Sequence, residues 1–116
     1  MVTIFWNNEE LGVFEETFTS IKEAKNFIES LADDGIHNTK CFVHTSKYDW
    51  AAHYGYEVHW TTVEGAEFTI CFEKKRVAKA FFNQMLLIYQ DDWHSVYLFE
   101  HLGQGLLKQL SSAVKV

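Results

Sequence analysis

Residues 56–72, Tyr56-Glu57-Val58-His59-Trp60-Thr61-Thr62-Val63-Glu64-Gly65-Ala66-Glu67-Phe68-Thr69-Ile70-Cys71-Phe72, decide the fold class. Apolar and polar residues alternate on either side of Gly65, which is the period of half-buried strands. A two-residue loop at Glu64-Gly65 pairs Trp60 with Thr69 and Val58 with Cys71, splitting the apolar residues between faces. A three-residue loop, Val63-Glu64-Gly65, with Gly65 in the left-handed position of a G1 bulge, pairs Trp60 with Phe68, Val58 with Ile70 and Tyr56 with Phe72. Burial of one face selects the second register. Glu57, His59 and Thr61 then lie opposite Cys71, Thr69 and Glu67 on a more polar face.

Upstream, Val2 to Trp6 and Val13 to Phe18 are β-branched and aromatic runs around Asn7-Asn8-Glu9-Glu10 and Gly12, which predicts a hairpin. Ser20-Ile21-Lys22-Glu23 matches a capping box, and Ile21, Ala24, Ile28 and Leu31 share one helical stripe that Gly35 ends. A helix is expected over about 20–33, followed by a strand at Thr39 to Ser46. Lys74 to Gln90 reads as a second helix, whose stripe Val77, Phe81, Met85 and Ile88 is widened by Phe82, Leu86 and Tyr89. So wide a stripe implies cover on two sides, by the sheet and by the C-terminal segment or a second subunit, so a homodimer through this helix enters as an expectation. Ser95 to Phe99 fits a strand, or continues with Leu102, Leu106, Leu110 and Ala113 as helix, with a break where Gly103 and Gly105 disfavour one. The expected architecture is one α+β domain: an antiparallel sheet of about five strands, two helices packed on one face, and a helical C-terminus. Residues 23–28 also resemble residues 77–82 at an offset of 54, a match that two amphipathic helices share by chance.

The 116 residues suit one domain, and 47% hydrophobic with 22% charged composition excludes disorder as the main state. Ten Lys and Arg against sixteen Asp and Glu give a net charge of −6, which argues against direct nucleic-acid binding. Cys41 and Cys71 are too few for a disulfide framework. With no basic, apolar leader and no long apolar run, the sequence points to a cytoplasmic chain that does not span a membrane. No proline is present, so Gly, Asn and Asp must make the turns.

The motifs for chemistry are sparse. Cys41-x2-His44 with His53 and His59 has the ligand types of a zinc site, but residues 41 and 44 of one strand point to opposite faces, so no metal site is expected. There is no nucleophile elbow and no cysteine–histidine spacing of a known protease. His59 beside Glu57 can do acid–base work, and with His53 and the aromatic loop it defines the alternative functional reading, a small enzyme or ligand-binding pocket. Glu100-His101-Leu102-Gly103-Gln104-Gly105-Leu106-Leu107 resembles the Gln/Arg-x-x-Gly-x-Gly/Ala loop of an acetyltransferase family whose backbone amides hold the pyrophosphate of acetyl-coenzyme A. Glu100 stands where that family has Gln or Arg, and only 11 residues follow Gly105 where the family needs further strands and a helix. A helix with two packing glycines is the plainer reading, and no cofactor is expected.

Two features point to a macromolecular partner. Carboxylates come in pairs, Glu9-Glu10, Glu15-Glu16, Asp33-Asp34 and Asp91-Asp92, able to steer a basic partner, although solubility and helix ends also explain them. The run from Lys47 to Tyr56 sets Tyr48, Trp50 and Tyr54, with Asp49, in a loop of the composition found at interface hot spots, or else anchored to the core. The leading functional expectation is an acidic, non-enzymatic protein that blocks a basic surface of a protein partner. Toxin-neutralising immunity proteins and phage-encoded inhibitors of nucleic-acid-handling enzymes are of this kind. Its expected contact residues are Glu15, Glu16, Asp33, Asp34, Tyr48, Asp49, Trp50, Tyr54, Asp91 and Asp92.

Overall fold

The alternating and helical stretches form seven strands and two helices in a computed structural model that describes residues 1–8, 12–37, 39–44 and 54–115. Two compact units, Met1–Ala52 and His53–Val116, are described in turn. The class is α+β, as expected, but the described residues form seven strands where about five are expected.

In the first unit, β1 (Val2–Asn8) pairs antiparallel with β2 (Gly12–Phe18) on one side and with β3 (Thr39–Val43) on the other. The helix α1 (Ile21–Asp33) begins where Ser20 Oγ accepts the Glu23 amide at 3.2 Å. It ends at Gly35 (φ 86°), where the Ile36 amide donates to the Leu31 carbonyl. Ala24, Ile28 and Leu31 are buried, as their spacing requires. Lys25 is buried as well, and its ammonium bonds Glu29 at 2.8 Å one turn on.

The second unit has the strand order β5-β4-β6-β7. β4 (Tyr56–Thr61) and β5 (Glu67–Phe72) pair in the predicted register, Trp60 with Phe68, Val58 with Ile70 and Tyr56 with Phe72. The three-residue turn closes with Thr62 N donating to Ala66 O, and Gly65 holds φ 91°. The helix α2 (Lys75–Leu87) buries Ala78, Phe81, Phe82 and Met85, which accounts for much of its wide stripe. Leu87 and Ile88 at its end stay exposed.

The expected C-terminal helix is a hairpin, β6 (Ser95–Gly103) and β7 (Leu106–Val114). The chain reverses at Gly103, Gln104 and Gly105, which hold φ 90°, 54° and 77°. No helix runs through three consecutive left-handed residues. Burial then follows period two, with Val96 and Leu98 in the core while Leu102 and Leu106 are exposed. The same turn removes the acetyltransferase-like reading of residues 100–107, because no helix follows whose amides could hold a phosphate.

The two units share one ββαβ plan. Trp6, Phe14, Phe18 and Phe27 recur 54 residues later as Trp60, Phe68, Phe72 and Phe81. Trp6 stacks on Phe14 with centroids 5.5 Å apart, and Trp60 on Phe68 at 5.4 Å. Both tryptophans meet the helix phenylalanine edge-on at an interplanar angle of 61°. The third strand repeats at 57: Phe42 and His44 become Phe99 and His101, and the His44 and His101 amides donate to the Met1 and Gly55 carbonyls. The offset of 54 is therefore not a coincidence of two amphipathic helices, since it extends through strands, register and ring contacts. The extra three residues lie between α2 and β6, where Trp93 is buried with its indole N–H on the Met85 carbonyl at 2.8 Å.

Candidate functional site

The first unit carries most of the negative charge. Residues 1–52 hold four lysines against nine Asp and Glu, a net of −5, whereas residues 53–116 hold six basic residues against seven acidic, a net of −1. Strand β2 lies at one end of the strand order, and every residue from Gly12 to Thr17 is exposed. Alternation turns Val13, Glu15 and Thr17 to one face and Phe14, Glu16 and Phe18 to the face that bears α1, where Phe18 meets Phe27 at 5.1 Å. Glu15 and Glu16 thus stand on opposite faces of one strand, opposite Phe5 and Ile4 of β1.

The remaining expected contact residues are dispersed. Asp33 is the last residue of α1 and Asp34 its C-cap, both exposed. Asp91 and Asp92 lie in the turn after α2, where the Asp92 amide donates to the Tyr89 carbonyl. Tyr54 is half-buried and its hydroxyl is shielded from solvent. Tyr48, Asp49, Trp50, His53 and the pair Glu9-Glu10 lie outside the described residues.

The polar face of the second unit has the expected register, Glu57 opposite Cys71, His59 opposite Thr69 and Thr61 opposite Glu67, but Glu57 and His59 do not act as a pair. Glu57 meets His101 at 3.2 Å, and His59 Nδ1 lies 2.8 Å from Thr69 Oγ1 with Glu67 4.0 Å from its other nitrogen. Glu57 and His59 are neighbours two apart on β4 but have separate partners. Tyr97 and Phe99 stack beside them, centroids 5.8 Å apart. In the first unit the matching histidine, His44, is buried and its Nε2 lies 2.9 Å from Thr3 Oγ1. That bond, and burial of Cys41 on the opposite face, leave the Cys41-x2-His44 pair divergent, and among the described residues no three His, Cys, Asp or Glu side chains converge.

A shallow groove of about 570 Å³ runs along α2, lined by Lys75, Arg76, Lys79, Ala80 and Asn83. The run Lys74-Lys75-Arg76 followed by Lys79 was its sequence signal, hidden by an acidic total. Neither Glu57 nor His59 lines it. Among the described residues, no helix is long and apolar enough to cross a membrane. Comparisons with family models, with curated proteins and with solved structures gave no match, so the site is read from the chain's own residues.

Proposed function

We propose that this chain is a binding protein whose acidic first unit covers a basic surface of a protein partner, without chemistry on that partner. The observation that carries this reading is the segregation of charge, −5 against −1, together with a strand that exposes carboxylates on both of its faces. Such a concentrated field raises encounter rates with a basic surface and rejects acidic ones. An immunity protein or an inhibitor of a nucleic-acid-handling enzyme would act in this way on a target that presents a basic surface. Asp91-Asp92 belong to the second unit and are not needed for the reading. The alternative pocket around His53, His59 and Glu57 has less support, because Glu57 and His59 engage different partners.

The test is capture from a host lysate by the full chain, with mass spectrometry of what is bound. The expected result is a basic protein whose capture weakens as salt is raised, as screened charges require. Capture of acidic proteins only, or capture indifferent to salt, overturns the proposal.

A further inference from the structure

Strand β2 differs from its counterpart in the way that a strand-accepting edge requires. At the offset of 54, β5 has Phe68 at 8% and Ile70 at 0% exposure where β2 has Phe14 at 36% and the exposed Glu16. The repeat therefore builds one buried strand and one open strand from the same plan. β2 pairs with β1 through seven consecutive residues without a register shift, and no other described strand pairs with it. Its outer backbone amides and carbonyls thus face away from β1. Proteins blunt such edges with charged side chains, lysines above all, with prolines or with bulges. β7 shows two of these devices, Lys108 within it and two register shifts against β6. β2 has no lysine, proline or register shift; its only edge charges are Glu15 and Glu16, which guard against acidic strands but not basic ones, and it presents Val13 at 74% exposure.

What β2 does carry is Glu15 and Glu16. In any central antiparallel pairing of two β2 strands these carboxylates fall opposite or diagonal to one another, which disfavours a second copy of this chain. The same carboxylates favour a strand with positive charge at those positions. Because they point to opposite faces, two consecutive basic residues on an added strand meet one carboxylate each. Val13 and Phe14 then offer an apolar step to each face beside them.

We propose that the outer edge of β2 accepts an extended segment of the partner, bearing two consecutive Lys or Arg residues, as an added strand. This inference rests on the proposed binding of a basic partner and names where and how it binds. Main-chain hydrogen bonds supply affinity in such strand addition, and alternate side chains supply selectivity.

The probe is a synthetic peptide, Thr-Val-Lys-Arg-Val-Thr, beside the same peptide N-methylated at alternate residues, which keeps its charge but cannot complete a ladder. Binding to the full chain is followed by calorimetry and by hydrogen exchange of the β2 amides. The unmodified peptide is expected to bind and to protect β2 amides, with the methylated one at least roughly tenfold weaker. Glu15→Lys with Glu16→Lys, both exposed, should lower affinity by a similar factor while the melting temperature holds. Equal binding of the two peptides, or binding with no protection in β2, overturns strand addition but leaves the capture of a basic partner standing. Salt-indifferent capture in the lysate experiment sinks the functional reading, whatever the peptides do.

Discussion

Trp60 and Trp6 hold the same place in the two units and should respond differently to truncation. Trp60 is fully buried, stacked on Phe68 and edge-on to Phe81, so Trp60→Ala removes a closed packing site and should cost about 3–5 kcal/mol. Trp6 keeps the matching contacts with Phe14 and Phe27 but is only half-buried, so Trp6→Ala should cost less, about 2 kcal/mol. Chemical denaturation of both variants measures the difference, and equal losses would show that the first cluster is as closed as the second. The burial of Trp60 was legible in residues 56–72, because only one register put apolar residues opposite each other. The partial exposure of Trp6 was not. It depends on β2 lying at the end of the strand order, a long-range fact that alternation does not encode.

Turns set the register of the elements, and the two glycine-containing turns of the second unit differ in how plainly the sequence marks them. Val63-Glu64-Gly65 was legible because the strands on either side alternate, so the left-handed residue could be placed by matching faces. Gly103-Gln104-Gly105 was not, because Leu102, Leu106, Leu110 and Ala113 fall at helical spacing by coincidence and the glycines read as weak helix positions. Gln104 at φ 54° is the one described non-glycine residue with positive φ, a conformation disfavoured by roughly 1–2 kcal/mol for most side chains. Asn tolerates it better, so Gln104→Asn should stabilise the protein by up to about 1 kcal/mol. Gly65→Ala, by contrast, should destabilise by about 1–2 kcal/mol although open space surrounds the position, since backbone conformation alone opposes it. Thermal melts of the two variants should therefore move in opposite directions. A lower melting temperature for Gln104→Asn would show that the glutamine side chain holds the turn.

At the scale of the whole molecule, net charge and its placement make different predictions. A total of −6 suggests a diffuse acidic protein, and from composition alone the pairs Glu15-Glu16, Asp33-Asp34 and Asp91-Asp92 looked equivalent. The fold separates them: Glu15 and Glu16 flank an open edge, Asp33 and Asp34 end a helix, and Asp91 and Asp92 sit in a turn of the nearly neutral second unit. Two triple variants distinguish location from total charge, because each neutralises three exposed carboxylates and takes the chain from −6 to −3. Glu15→Gln/Glu16→Gln/Asp33→Asn alters the first unit, and Glu64→Gln/Glu67→Gln/Asp91→Asn alters the second. If the partner docks on the first unit, the first variant should bind the captured partner roughly tenfold more weakly, mainly through faster dissociation, while the second loses little. Steering by overall charge alone would instead slow association of both variants to the same extent and leave dissociation unchanged. Surface-immobilised binding kinetics separates the rates, and equal slowing of both variants would remove the first unit as the docking site.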